Sequence, residues 1–225
     1  MLFRDRVEAG QLLSQRLRRF RDEDCMVMSI PRGGVVVGCE VARAICAPLD
    51  VVVARKLGAP GEPELAIGAV VTWGDGRILD QAAVGYLGVT PAYIDRETQA
   101  QLEEVERRLM AYRGSVEPPD LAGKTALLVD DGIATGYTVL AAIQGVRALN
   151  PTSVVVAAPV ASVEAAQRIS SEADEFVCLV TPSPFLAVGN WYADFGQVTD
   201  EEVVGLLRQR AEELKAAASG KKPEA

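Results

Sequence analysis

The sequence predicts an α/β fold with a mostly parallel central sheet flanked by helices. Short apolar runs that suit buried strands alternate with longer segments of helical periodicity. Hydrophobic residues make up 49% of the 225 residues and aromatic residues only 5%, which favours parallel strands covered on both faces. Two glycine-containing turns each join a strand to a helix, and open α/β sheets bind ligands at such strand ends.

The helices and strands are placed by the spacing of apolar residues. Helices are predicted where such residues recur at helical spacing, namely at 5–20, 35–45, 93–112, 139–149 and 162–171. Buried strands are predicted at the short apolar runs 25–30, 49–54, 125–129, 153–159 and 175–180. Thr199, followed three residues later by Glu202, predicts the capped start of a final helix.

Two segments near the middle of the chain depart from this alternation. Segment 57–64 is rich in Gly and Pro, which predicts a mobile loop. Residues 65–73 and 77–79 flank Gly74-Asp75-Gly76, and this arrangement predicts a β-hairpin.

The length of the chain suits one domain, which we expect to span residues 1–217. Its core is expected at about 24–180. A small hood is expected to form from about 181–198 together with the N-terminal helix. We expect residues 218–225 to form a disordered tail.

Composition argues against several classes of protein. A net charge of −8 argues against a nucleic-acid-binding surface, although a few Lys or Arg suffice to bind a small polyanion. No signal peptide or membrane-length apolar run is present, so we expect a cytoplasmic protein with no membrane partner. The absence of histidine excludes Ser-His-Asp and Cys-His triads. The cysteines lack CxxC spacing and are expected to be buried, reduced thiols; they are Cys25, Cys39, Cys46 and Cys178.

The most informative stretch begins where the strand at 125–129 stops at Asp130 and Asp131. The turn that follows combines glycines, threonine hydroxyls and a helix start, which together make a cradle for a phosphate. The two carboxylates would repel the phosphate itself but suit vicinal sugar hydroxyls attached to it. An ordinary turn with an aspartate N-cap is the alternative, although a cap needs only one aspartate.

Residues 129–138 read VDDGIATGYT and closely resemble the signature of the type I phosphoribosyltransferases, which use phosphoribosyl pyrophosphate (PRPP). The resemblance covers about residues 24–160 and looks closest to an uncharacterised bacterial phosphoribosyltransferase-like branch. It implies that Asp130 and Asp131 hold the ribose hydroxyls. It also implies that Gly132 contacts PRPP and that the sugar 5-phosphate is held by Ala134, Thr135, Gly136, Tyr137 and Thr138.

A second turn, Pro31-Arg32-Gly33-Gly34, follows the first predicted strand. Its glycines allow close approach of the backbone, and the Arg32 guanidinium suits phosphate oxygens. Taken alone, such a turn is equally consistent with a purely structural role. The resemblance implies that Arg32, Gly33 and Gly34 hold the leaving pyrophosphate, and that Arg32 acts with Asp130 and Asp131 in catalysis.

Arg55 and Lys56 follow the strand predicted at 49–54. Two adjacent cations at a strand end are often a solvated edge, and that interpretation stays open here. The resemblance implies contacts with pyrophosphate, made within the chain or across a homodimer interface. It also suggests that segment 57–64 is a lid over the reacting centre.

The segment from Thr181 to Phe195 holds four of the twelve aromatic residues of the chain. Phe185, Trp191 and Tyr192 are candidates for stacking on the ring of an acceptor. The alternative is a loop that packs on the edge of the sheet.

The implied reaction is displacement of pyrophosphate from C1 of PRPP by a nitrogen of a small, nucleobase-like heterocycle. The resemblance implies Mg²⁺ held mainly by ligand oxygens, with the protein ligands of the metal unknown. A non-catalytic PRPP- or nucleotide-binding regulator is the alternative, and turnover of a nucleobase separates the two hypotheses.

Overall fold

A computed structural model describes residues 2–74 and 77–219, with only the backbone of Glu64. Its helices are α1 (Arg6–Leu17), α2 (Gly33–Ala44), α3 (Gln81–Tyr86), α4 (Pro91–Arg113), α5 (Tyr137–Arg147), α6 (Val163–Glu172) and α7 (Asp200–Ala218). Its strands are β1 (Cys25–Ser29), β2 (Leu49–Val51), β3 (Ala54–Ala59), β4 (Glu62–Val71), β5 (Arg77–Leu79), β6 (Thr125–Val129), β7 (Ser153–Val160) and β8 (Glu175–Val180).

Five parallel strands form the central sheet in the order β2-β1-β6-β7-β8. Strands β1 and β6 are neighbours, and Ser29 at the end of one is aligned with Val129 at the end of the other. The two turns that follow these strands therefore leave the same edge of the sheet side by side. This arrangement confirms the predicted α/β fold with a mostly parallel sheet flanked by helices.

Successive residues of the central strands bury opposite faces of the sheet. Leu127 packs with Leu13 of α1 and Val37 of α2, whereas Leu128 packs with Ile143 of α5. Both leucines are at most 1% exposed. Because helices cover both faces, the central strands are continuous apolar runs instead of alternating ones.

The prediction of one strand over 49–54 is wrong, because the chain changes sheet within that segment. Strand β2 pairs with β1, whereas β3 belongs to a separate antiparallel sheet with the order β3-β4-β5. Val52 and Val53 between them are 0% and 2% exposed, so the apolar run reflects burial in a crossover. Arg55 and Lys56 consequently lie within β3.

The prediction of a loop over 57–64 is also wrong. Strand β3 ends at Ala59 and β4 begins at Glu62, so Pro60 and Gly61 form the tight turn of a β-hairpin. Gly61 has a φ of +80°, a conformation that favours glycine. The Gly and Pro residues of this segment therefore mark a turn and a strand irregularity.

The hairpin predicted over 65–79 is confirmed, since β4 and β5 pair in antiparallel register. Within its predicted turn Gly74 has a φ of +81°, whereas Asp75 and Gly76 lie outside the described residues.

The predicted capping box of the last helix is confirmed. The Thr199 hydroxyl accepts a hydrogen bond from the Glu202 amide, and the Glu202 carboxylate accepts one from the Thr199 amide. Ala218 is still helical, and residues 220–225 of the predicted tail lie outside the described residues.

All four cysteines are free thiols, as predicted, but their burial differs. Cys25 and Cys39 are buried and Cys178 is partly buried, whereas Cys46 is exposed and corrects the prediction for that residue. None of the helices in the described part of the chain combines the length and the apolar character needed to cross a membrane.

Candidate active site

The turn between β6 and α5 is fixed to the neighbouring strand by hydrogen bonds. The Ile133 amide donates to the Val160 carbonyl over 2.9 Å. The Ser162 amide donates back to the Ile133 carbonyl, and the Ser162 hydroxyl donates to the Ala134 carbonyl over 2.6 Å. These bonds give the turn its shape before any ligand binds, which lowers the entropic cost of binding.

A cavity of about 160 Å³ lies against this turn at the amino end of α5. Gly136 precedes the helix with a φ of +84°, where a side chain would be strained. The cavity is lined by Lys56, Asp130, Gly132, Ile133, Ala134, Thr135, Gly136, Thr138, Val139 and Val188. Amide groups at a helix start, two threonine hydroxyls and a lysine suit a phosphate.

A larger cleft of about 500 Å³ lies elsewhere, between β2 and the helices α4 and α7. It contains the Asp50–Arg113 ion pair but none of the residues of the two glycine-containing turns. The chemistry of the lining, and not the volume, therefore identifies the smaller cavity as the candidate site.

Asp130 and Asp131 form an acid pair beside this cavity. The Asp131 amide donates to Asp130 Oδ1 over 2.8 Å. Burial, and then the neighbouring Asp131 carboxylate, raise the pKa of Asp130 well above its usual value. Asp130 therefore holds a proton more tightly than an exposed aspartate does.

Arg6, at the start of α1, is the counter-ion of this acid pair. Its Nε lies 2.6 Å from Asp131 Oδ2, and the two side chains are only 12% and 15% exposed. Sequence reasoning missed this residue, because 125 positions separate Arg6 from Asp131 and position 6 belongs to no motif.

The second predicted turn packs directly on the acid pair. A methyl group added at Gly33 would lie 1.9 Å from Asp131 Oδ2, and one added at Gly34 would lie 2.9 Å from the Val129 carbonyl oxygen. Both glycines are therefore required by contact between the two turns, whatever the ligand. The structure thus brings together the two motifs that the sequence singled out separately.

Arg32 lies at the amino end of α2, with its guanidinium facing α7. Its Nη1 is 3.7 Å from Asp200 Oδ1, and the two side chains are 41% and 38% exposed. The Tyr112 hydroxyl donates to the same Asp200 oxygen over 2.7 Å. This long, exposed pairing leaves the Arg32 guanidinium accessible to an anion.

Arg55 and Lys56 face two adjoining cavities. Lys56 lines the cavity at the turn between β6 and α5. Lys56 and Thr138 also line a neighbouring cavity of about 330 Å³. Arg55 lies in that second cavity with Arg108, and Arg55 Nε donates to Gln101 Oε1. Burial lowers the pKa of Arg55, and the Arg108 guanidinium lowers it further.

The largest difference between prediction and structure concerns the aromatic residues of the hood. The Tyr192 ring is 5% exposed, and its centroid lies 5.4 Å from that of Phe3 and 5.0 Å from that of Phe195. Its hydroxyl donates to the Asp131 backbone carbonyl over 2.5 Å. The expected stacking role is therefore wrong for Tyr192, because its ring is buried and its hydroxyl supports the backbone of Asp131 instead.

Phe185 and Trp191 pack on the same hood cluster and are partly buried. Tyr137, another residue of the signature, is also turned away from the turn cavity. Its hydroxyl donates to the carboxylate of Asp80, and the Arg168 guanidinium carbon lies 5.2 Å from the centre of its ring. Only the backbone of Tyr137 is therefore placed to serve the cavity.

We expect Gly33→Ala to lower the free energy of unfolding by about 1–3 kcal/mol, because the new methyl group must displace the Asp131 carboxylate. Urea denaturation measures this. The matched control is Gly85→Ala in α3, where nothing lies within 4 Å of the added carbon. Equal stability of Gly33→Ala and the unaltered protein would contradict the contact between the turns.

We expect Asp130→Asn to stabilise the protein more at pH 7 than at pH 4. Because the folded pKa of Asp130 is raised, the folded protein binds this proton more tightly than the unfolded chain. The unaltered protein then loses stability as the pH rises from about 4 towards the folded pKa, and asparagine, like the protonated acid, avoids that loss.

Urea denaturation at the two pH values tests this expectation. Asp120→Asn is the control, since the Lys124 ammonium lowers the pKa of Asp120 and the sign of its effect is reversed. A stability gain in Asp130→Asn that is the same at both pH values would contradict the assignment.

Proteins of one family are similar to this chain. The phosphoribosyl transferase domain family matches residues 6–189. Two Mycobacterium tuberculosis proteins, from strains CDC 1551 and H37Rv, are similar to this chain and carry the provisional name phosphoribosyl transferase. Each is 44% identical over 206 residues, which are 92% of this chain and 46% of the relative. The chain thus spans about half the length of these relatives.

The crystal structure of TT1426 from Thermus thermophilus is also similar. It is 44% identical in sequence and has a TM-score of 0.78, with 93% of this chain and 99% of that chain covered. The family match extends over both glycine-containing turns and the whole central sheet. The chain belongs to the type I phosphoribosyltransferase family.

Proposed function

We propose that this chain transfers the phosphoribosyl group of PRPP to a nitrogen of a small heterocycle and releases pyrophosphate. The observation that carries the proposal is the acid pair, which lies beside a preformed anion cavity at a helix start. A phosphate and adjacent sugar hydroxyls are the ligand groups that match this juxtaposition. Membership of the phosphoribosyltransferase family supports the same reaction class.

In this proposal the 5-phosphate occupies the turn cavity and receives hydrogen bonds from the amides and hydroxyls of residues 134–138. Lys56 lines that cavity and adds a positive charge. The ribose 2- and 3-hydroxyls donate to Asp130 and Asp131. The pyrophosphate lies on the side of Arg32, whose exposed pairing with Asp200 is weak enough to be exchanged for phosphate oxygens.

Catalysis then depends on positioning and charge. The C1–O bond to pyrophosphate breaks as the C1–N bond forms, and C1 acquires positive, oxocarbenium-like character in between. The fixed acid pair stabilises that charge electrostatically, while the two anion sites hold the reacting atoms in line. The chain has no histidine, so the acceptor loses its proton beforehand, or to water or a carboxylate.

Magnesium fits this arrangement as an ion carried by the ligand. The described residues contain no cluster of three or more potential metal-binding side chains, and one oxygen of Asp131 is already paired with Arg6. The remaining carboxylate oxygens could complete the coordination of an ion held mainly by PRPP oxygens. When bound, Mg²⁺ neutralises charge on the leaving pyrophosphate.

For the acceptor we propose a planar, weakly acidic nitrogen heterocycle. With Tyr192 buried, Phe185 and Trp191 are the remaining aromatic candidates for stacking on it. We also propose that residues 1–217 form one domain that works as a cytoplasmic homodimer, without nucleic-acid or membrane partners.

We expect Asp130→Asn and Asp131→Asn each to weaken PRPP binding tenfold or more. A charge-assisted hydrogen bond to a ribose hydroxyl is worth about 1.5–3 kcal/mol, which corresponds to that factor. Isothermal titration calorimetry with Mg²⁺ present measures the effect, and Asp120→Asn, whose side chain is 78% exposed, is the control. Unchanged PRPP affinity in both acid-pair variants would contradict the assignment of Asp130 and Asp131 to the ribose hydroxyls.

We expect Arg32→Ala to weaken PRPP and pyrophosphate binding while leaving ribose 5-phosphate nearly unaffected. Lys56→Met is the matched comparison and should weaken ribose 5-phosphate, because Lys56 lines the turn cavity. Calorimetry with the three ligands separates the two patterns. Equal losses for all three ligands in Arg32→Ala would instead assign Arg32 a structural role through Asp200.

A further inference from the structure

The Arg6 side chain joins three parts of the molecule at the acid pair. Its Nε contacts Asp131 Oδ2 at 2.6 Å, and its Nη1 donates to the Gly196 carbonyl over 2.7 Å. Its guanidinium carbon lies 3.8 Å from the centre of the Phe195 ring. Helix α1, the signature turn and segment 181–198 of the hood therefore meet at one cation.

The position of Arg6 is set by the backbone around it. The Phe3 amide donates to the Trp191 carbonyl, and the Ala193 amide donates to the Phe3 carbonyl, each over 2.8 Å. Asp5 caps α1 by accepting a hydrogen bond from the Glu8 amide. The segment before Arg6 is thus hydrogen-bonded to residues 191–193, and the helix that Arg6 begins is capped at its first turn. These bonds fix the backbone position from which the Arg6 guanidinium extends.

This placement fixes which atoms of Asp131 a ligand can reach. Oδ2 is paired with Arg6 and lies against the Gly33 backbone, so Oδ1 is the oxygen left to accept from a ligand. The Asp131 backbone is held as well, since the Tyr192 hydroxyl donates to its carbonyl. Because both the side chain and the backbone of Asp131 are held, the carboxylate presents one oxygen in one direction. Recognition of a single sugar hydroxyl requires such a fixed acceptor.

Charge leads to the same conclusion. Two adjacent, largely buried carboxylates without a counter-ion would be costly, because their negative charges would be uncompensated. Arg6 supplies the counter-ion, with its Nε 2.6 Å from Asp131 Oδ2.

We propose that Arg6 is a positioning residue for ribose recognition, which holds the Asp131 carboxylate in one orientation and links it to the hood. This inference rests on the proposed function, because it assigns Asp131 to a ribose hydroxyl. Arg6 itself does not contact the sugar; it acts through Asp131.

The experiment compares Arg6→Met, which keeps the bulk of the side chain without its charge, with Arg6→Lys. Calorimetry should show about tenfold weaker PRPP binding for Arg6→Met and partial recovery for Arg6→Lys. Pyrophosphate binding should be unchanged in both, which a general disruption of the site would not allow. Arg4→Met is the matched control, since the Arg4 side chain is 68% exposed and its guanidinium forms an ion pair with Asp5 instead of with the acid pair.

A double-variant cycle then tests whether Arg6 acts through Asp131. Arg6→Met introduced into Asp131→Asn should cause no further loss of PRPP affinity, because the group it positions is already altered. Additive losses would overturn the proposal. Thermal melts report folding, and if Arg6→Met is unfolded, Phe195→Leu removes the ring beneath the guanidinium and should give a smaller loss confined to PRPP.

The outcomes separate this inference from the proposed function. Absence of PRPP binding to the unaltered protein would reject the proposed function. Normal PRPP binding by Arg6→Met, in assays where Asp131→Asn is impaired, would reject only the role of Arg6. Tighter PRPP binding by Arg6→Met would also overturn the proposal, since Arg6 would then compete with the sugar for Asp131.

Discussion

The contact between the two glycine-containing turns is the constraint on which the rest of the site depends. Strands β1 and β6 end in register, and Gly33 and Gly34 then pack against Asp131 and the Val129 carbonyl with no room for a side chain. Because of this contact, the start of α2 and the acid pair cannot move independently. The backbone that carries Arg32 and the backbone that carries the acid pair are thereby held at a fixed separation.

The remaining parts of the site surround this contact and stabilise it. Arg6 compensates the buried acid pair from the side of α1, and the Tyr192 hydroxyl holds the Asp131 carbonyl from the side of the hood. Val188 packs where a side chain at Gly132 would lie. The hood is therefore a support for the carboxylates.

The parallel sheet and both turns could be predicted from the sequence, because strand, turn and helix are each specified by neighbouring residues. The segment from Leu49 to Glu64 could not, since a buried apolar run looks the same in a strand and in a crossover, and Gly and Pro mark hairpin turns as well as loops. Arg6 and the buried role of Tyr192 escaped prediction for another reason. Both depend on contacts between distant parts of the chain, and no local pattern records them.

The measurement that tests the central claim most directly is pyrophosphate release from PRPP in the presence of Mg²⁺. A panel of purines, pyrimidines and nicotinate-like acids would be offered to the unaltered protein and to Asp131→Asn. We expect release that requires one planar nitrogen heterocycle and is strongly reduced in Asp131→Asn. Tight PRPP binding without release, whichever heterocycle is added, would contradict transfer and assign the site to a PRPP-binding regulator.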